Sequence, residues 1–387
     1  MPDEFHPAFF LFLIVFLSLI KMQTHTELLF HIALTMIPKV GGVAAKNLLA
    51  YCGSASNVFK QKKDHLLRIP GIGEKIAGEI VNFKNMDRAE REMKFIDAHN
   101  IIALSFLDSN YPQRMRDIPD APFIIYTKGN INLNTQRMIA IVGTRKATDY
   151  GKNITAKLVE ELQSYQPTII SGLAYGIDSA AHKASVACNI PTLGVLAHGL
   201  DMVYPAANKN LVQSMMENGG IVTEYPSGVG PEMEHFPERN RIVAGMTDAT
   251  IVIESANKGG SLITAEIANS YNRDVFAVPG RANDHLSSGC NYLIKVNKAH
   301  LVETAADIAY ILGWDVEGQI APKKQVPTGL SETEQNIYNF LKEKEKVEID
   351  NLSIAMGYSS AELSIILLEM EFKGILQALP GKCFRLL

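Results

Sequence analysis

The chain has 387 residues, room for two to three domains at about 150 residues each. It is 47% hydrophobic and 20% charged, which supports ordinary packed cores and excludes a disordered chain. Its formal net charge of -4 excludes a histone-like positive coat, though not one local basic groove.

In chain order, the first feature is the apolar run Ala8 to Ile20, in which only Ser18 is polar. It is shorter than the roughly 20 apolar residues of a membrane-spanning helix. Asp3 and Glu4 precede it and no Ala-x-Ala follows, so it does not fit a secretory signal. Residues 1-21 therefore read as an over-extended start with Met22 as the initiator; a weak membrane anchor is the rival. No stable membrane partner is expected. Cys52, Cys188, Cys290 and Cys383 lie far apart without a CxxC pair. Neither a disulfide framework nor a zinc ribbon is expected, and a cytoplasmic location fits best.

Residues 22-98 read as short helices. Ile37-Pro38-Lys39-Val40-Gly41 returns 32 positions later as Ile69-Pro70-Gly71-Ile72-Gly73, each before a helical pattern, Ala44 to Ala50 and Glu74 to Phe83. From 99 to 312 short apolar runs alternate with helix-length amphipathic segments. The runs are Met138–Val142, Thr168–Ile170, Thr192–Leu196, Ile221–Thr223, Thr250–Ile253 and Val275–Val278. This alternation predicts a parallel sheet covered on both faces, with ligands outside the carboxyl ends of its strands. Residues 313-329 read as a Gly- and Pro-rich linker. In 330-387, Ser331 and Glu334 form a capping box. A second helix runs to Gly357 and a third starts at Ser359 with Glu362 in the same relation. Ile375–Leu379, a Pro380-Gly381 turn and Cys383–Leu387 make a hairpin. Three helices and a hairpin are the winged-helix order.

The central motifs favour an anion. No Gly-x-Gly-x-x-Gly follows the first predicted strand and no P-loop occurs, so neither NAD nor ATP is expected, and no cofactor is. Two glycine-rich turns stand out, Ser171-Gly172-Leu173-Ala174-Tyr175-Gly176-Ile177-Asp178 and Lys258-Gly259-Gly260-Ser261. Each follows a strand and opens a helix, where backbone amides can meet a phosphate; alternatively the glycines only permit tight turns. Arg145, Lys183, Arg239, Arg241 and Lys258 fall at the same sheet edge, and arginine clamps phosphates with a planar fork. Phe236 stands three residues before Arg239 in what reads as a loop between Pro231 and Pro237. A ring within a basic groove is how single strands are held, while a core role for the ring stays equally open.

Six motifs in order make the reading specific: Val142-Gly-Thr-Arg145, Ser171-Gly-Leu-Ala-x-Gly-Ile-Asp-x-x-Ala-His182, Gly199-Leu-Asp-x-x-Tyr-Pro205, Phe236-Pro-x-Arg-Asn-Arg-Ile242, Gly260-Ser-Leu-Ile-Thr-Ala265 and Val278-Pro-Gly280. Together, over about residues 100 to 310, they resemble the DNA-processing protein A family (DprA/Smf). The resemblance implies an α/β fold: an extended Rossmann-like parallel sheet flanked by an N-terminal helical domain (helix-hairpin-helix or SAM-like) and a C-terminal winged-helix domain. It also implies a homodimer that binds single-stranded DNA and loads the RecA recombinase during natural transformation. Carried over by motif, the DNA site uses Arg145, Ser171, Gly172, Phe236, Arg239, Asn240, Arg241, Lys258, Gly260 and Ser261. The arginines and Lys258 hold phosphates, Phe236 stacks a base, and Asn240 orients the loop or a base edge. Glu232 and Glu234, just before Phe236, oppose the groove's charge.

The outer domains are read more narrowly. Ile69 to Gly73 fits the hydrophobic-x-Gly-hydrophobic-Gly turn of helix-hairpin-helix modules, with Lys75 placed to help; a purely packing role is the equal alternative. Lys39 replaces the first glycine in the other copy and weakens it. The third tail helix carries Glu362, Glu369 and Glu371 with no Lys or Arg, so a protein contact is expected there rather than major-groove reading. That also weakens the idea of a transcription regulator.

An enzyme is the runner-up. Gly259-Gly260-Ser261-Leu262-Ile263-Thr264-Ala265-Glu266 resembles the Pro-Gly-Gly-x-Gly-Thr-x-x-Glu motif of Rossmann-like nucleotide phosphoribohydrolases. Leu262 and Ile263 replace its Gly-Thr and crowd a ligand phosphate, so a structural role for Glu266 is preferred. Asp178 and His182 lie one helical turn apart without a nucleophile, and the histidines form no metal pattern. No catalytic or metal residue is expected.

Overall fold

The computed structural model describes residues 25–314, 330–342, 347–373, 375–379 and 382–386. The apolar run with Met22, most of the linker and the Pro380-Gly381 turn lie outside them. The chain divides into two compact units, one ending at Asp315 and the other beginning at Val316.

The first unit opens with helices α1 (25–35), α2 (Gly42–Cys52), α3 (Ala55–Val58), α4 (Lys63–Leu66), α5 (Glu74–Val81) and α6 (Met86–Ala98). The internal repeat is structural. Val40 N–H donates to Ile37 O and Ile72 N–H to Ile69 O, both at 3.1 Å. Lys39 and Gly71 both take left-handed backbone, at φ 70° and 80°. Glycine does this without steric cost, whereas lysine gives up about 1 kcal/mol. The turn before α2 packs on the neighbouring sheet region: a Cβ on Gly42 would overlap the Ala121 carbonyl oxygen.

A nine-stranded sheet follows, with strands β1 (Ile102–Ser105), β2 (Ile124–Gly129), β3 (Met138–Val142), β4 (Thr168–Ser171), β5 (Thr192–Val195), β6 (Gly219–Thr223), β7 (Ala249–Val252), β8 (Asp274–Ala277) and β9 (His300–Leu301). Their order is β1-β2-β6-β5-β4-β3-β7-β8-β9. The pairings from β6 through β9 are parallel, as the apolar runs imply. Three strands fall outside the apolar runs: β1 and β2, which add an antiparallel edge, and the short β9, which pairs in parallel with β8. Strand β3 is buried throughout; Ala140 and Val142 join one core cluster, Ile139 and Ile141 the other. Alternate side chains thus feed both helix layers.

The helices between these strands are α7 (Gln113–Arg116), α8 (Asp149–Leu162), α9 (Ile177–Ala187), α10 (Lys209–Met215), α11 (His235–Gly245), α12 (Gly260–Ser270) and α13 (Ser288–Lys295), and α14 (Ala305–Ile311) follows β9. From β3 the chain winds outward through β4, β5 and β6, then returns to β7 on the opposite side of β3. That reversal opens a crevice at the carboxyl ends of β3 and β7.

The second unit contains α15 (Glu332–Lys342), β10 (Val347–Glu348), α16 (Ile349–Met356), α17 (Ser360–Phe372), β11 (Leu376–Leu379) and β12 (Cys383–Leu386). Both predicted capping boxes form: Glu334 N–H donates to Ser331 Oγ and Glu362 N–H to Ser359 Oγ, each at 3.3 Å. Gly357 ends α16 in left-handed backbone. β11 and β12 pair antiparallel as the hairpin, and β10 adds to β12. Among the described residues, no single helix is long and apolar enough to cross a membrane.

Candidate nucleic-acid interface

A cleft of about 600 Å³ occupies the crevice. Its lining comes from Val142 to Arg145 at the end of β3, the Gly172 turn after β4, Tyr204 in the loop after β5, Pro231 and Met233 ahead of α11, the N-terminal half of α11, and the turn from Ala256 into α12. Phe236, expected in a loop, stands instead in the first turn of α11, followed by Pro237. Proline is tolerated there because first-turn amides have no intrahelical acceptor to lose.

One wall is aromatic and cationic. The exposed Arg145 guanidinium lies 5.0 Å from the centre of the Phe236 ring, within cation–π range. Tyr204, 47% exposed, approaches the same ring at 6.0 Å between centroids. Tyr175, also exposed, lines a small annex with Arg145, Tyr204 and Phe236. Neither tyrosine is among the expected binding residues, although Tyr175 falls within the Ser171–His182 motif and Tyr204 within Gly199–Pro205.

The opposite wall is the start of α12. Gly260, Ser261 and Thr264 line the cleft, and a Cβ on Gly260 would meet nothing within 4 Å. Ser261 Oγ donates to Ser255 Oγ at 2.9 Å, fixing the turn. Asn240 also lines the cleft, half-buried on α11.

Arg239 forms the floor, not an exposed phosphate clamp. It is 4% exposed, and its Nη1 donates to Gly172 O at 2.5 Å and to Val195 O. It thereby ties the ends of β4 and β5 together. Burial lowers its guanidinium to about 10, so it stays charged at neutral pH, with Asp178 pulling the other way. Burial raises the Asp178 carboxyl, opposed by Arg239 and by N–H donors including that of Ala174 at 3.3 Å. Gly172 permits this packing: a Cβ there would lie 2.5 Å from Arg239 Nη2. Ser171 is likewise committed to structure, its buried hydroxyl donating to Ile141 O at 2.6 Å.

The remaining expected cations do not line this cleft. Arg241 pairs with Glu224, donates to Asp120 O at 2.7 Å, and faces a neighbouring groove. Lys258 is exposed just before the α12 turn, and Lys183 is exposed on α9. The ionisable groups lining the cleft are Arg145, Asp178, Tyr204 and Arg239. The runner-up's Glu266 instead pairs with Lys298 at 2.7 Å on the surface, outside this lining. His182 is a neutral core residue: burial lowers it to about 3, and Nδ1 meets Thr192 Oγ1 at 2.7 Å. That hydroxyl already donates to Ile169 O, so Nδ1 carries the proton.

Residues 102–313 match the family described as DNA recombination-mediator protein A, more than half of the chain. The chain belongs to this family. Residues 30–92 match a helix-hairpin-helix motif, and residues 321–382 match the DprA winged helix domain. Protein Smf of Synechocystis sp. is 30% identical over 396 residues, spanning 93% of this chain and 98% of its own. DNA processing protein DprA of Streptococcus pneumoniae is 40% identical over 57% of this chain and 79% of its own. The X-ray structure of DNA processing protein A from S. pneumoniae aligns with a TM-score of 0.61 at 32% identity, over 73% of this chain and 95% of that one. The Helicobacter pylori DNA processing protein A, solved for its single-stranded DNA binding mode, aligns at 0.51 and 30% identity, over 56% of this chain and 96% of that one.

Proposed function

We propose that the chain binds single-stranded DNA in the cleft at the carboxyl ends of β3, β4 and β7, without sequence preference. It then hands the strand to the RecA recombinase during DNA uptake in natural transformation, as a cytoplasmic homodimer that turns over no substrate. The observation that carries the reading is Arg145 over Phe236, with Tyr204 beside it and the open α12 turn opposite. Rings stack bases of any identity, while an exposed cation and helix-start amides follow the phosphates. The Helicobacter pylori relative, described by its single-stranded DNA binding, supports the same ligand. Lys258 and Lys183 extend the positive edge, Asn240 orients a base edge, and Arg239 with Gly172 and Ser171 holds the floor. Arg241 acts at the neighbouring groove.

Fluorescence anisotropy of the full chain on a labelled single strand, beside a matched duplex and across salt concentrations, tests this. Single-strand binding should exceed duplex binding and fall with salt. Arg145→Ala should weaken it and reduce the salt slope by about 0.7, the value for one lost single-strand phosphate contact. Phe236→Ala should weaken it about tenfold through lost stacking. Unchanged affinity and slope in the folded double variant would remove the cleft from the reading. No binding at low salt would end it.

A further inference from the structure

Helix α17 has two apolar faces. Leu363, Leu367 and Met370 point into the winged-helix core and are fully buried. On the other side Ile365, Leu368 and Phe372 are 63%, 51% and 84% exposed. With exposed Ala361 they recur at spacings of four, three and four, the a/d repeat of a coiled-coil seam. At about 100° per residue the four positions fall in a strip about 60° wide and about 16 Å long, opposite the buried face.

The charges carried by α17 itself are of one sign; Lys373, at its C-cap, is paired with Glu334. Glu362 and Glu369 flank it on one side and Glu371 on the other, and α17 contains no lysine or arginine. A second copy laid on this face would set glutamates against glutamates, which is unfavourable at e/g-type positions. A phosphate backbone or an anionic lipid surface meets the same repulsion.

We infer that the exposed face of α17 docks an amphipathic helix of a protein partner whose apolar stripe is flanked by lysine or arginine. The apolar strip supplies the burial, and the glutamates select the sign of the flanks and the register. The surface belongs to the second unit and the cleft to the first.

The test titrates the full chain into a fluorescein-labelled 18-residue helical peptide with leucines at a and d and lysines at e and g. A twin peptide carries glutamates at e and g. The basic peptide should bind, more weakly as salt rises, and the twin should not. Leu368→Ser with Phe372→Ser should weaken binding at least tenfold while single-strand affinity stays unchanged. Both side chains are exposed, so folding should persist, checked by circular dichroism. Equal binding of the basic peptide to the double variant would reduce the effect to bulk charge and overturn the inference. Equal binding of the twin would overturn it too. So would self-association, or binding to phosphatidylglycerol vesicles, that the double variant abolishes while the basic peptide fails to bind.

Discussion

Arg239 and Arg145 meet at one cleft and have different work. The sequence marks both as phosphate ligands, and at residue scale it cannot say which is buried. Helix formation over 235–245 decides part of the matter. Positions two apart on a helix do not share a face, so Arg239 turns to the cleft floor and Arg241 to the neighbouring groove. Read as a loop, the segment allowed both arginines on one side. Arg239→Ala would leave the Gly172 and Val195 carbonyls without their donor and remove the charge that opposes the burial of Asp178. Leaving buried acceptors unsatisfied costs about 1–3 kcal/mol each. Urea unfolding should therefore show a loss of about 3 kcal/mol, against less than about 0.5 kcal/mol for exposed Arg145→Ala. Asp178→Asn should recover part of the loss in the Arg239→Ala background. Wild-type stability in Arg239→Ala alone would refute the structural role.

Six of the seven parallel strands were legible as elements because strands buried on both faces read as continuous apolar runs; the two-residue β9, exposed at the far edge, was not. Nor were β1 and β2. Ile102–Ser105 is four residues long, half-covered and at the sheet edge, so neither a run nor a clean alternation marks it. The two glycine turns were legible as turns, but which glycines serve packing and which serve access required their surroundings. At Gly172 a side chain collides with Arg239; at Gly260 it projects into open space. Gly172→Ala should therefore destabilise the fold and, through the displaced floor, weaken DNA binding. Gly260→Ala should leave stability unchanged or raise it by up to about 1 kcal/mol, because alanine suits a helix better than glycine. Its methyl group should still weaken single-strand binding by blocking close approach to the α12 amides. Thermal unfolding and anisotropy on the same two variants check this. A Gly260→Ala variant with full affinity would mean that the turn does not touch the strand.

On the scale of the molecule, the sequence reads as three regions where the contacts form two compact units. The N-terminal helices do not close their own core: Ile32, Leu48 and Ile80 share a cluster with Phe123, Ile124 and Tyr126 from the sheet edge. Hydrophobic periodicity reports which face of a helix is apolar but not which neighbour covers it, so this union was hidden. Among the described residues, the winged-helix core by contrast draws on positions between 330 and 386. Scanning calorimetry of the full chain should therefore resolve two transitions, the helices melting together with the sheet. Phe123→Ala, at the shared cluster, should lower the larger transition alone. Leu367→Ala should lower the smaller one alone, since emptying a buried leucine site costs about 2–5 kcal/mol, much of what so small a core can supply. If Phe123→Ala instead splits a separate helical transition from the sheet, the N-terminal helices form a body of their own and the shared cluster is only a contact between them.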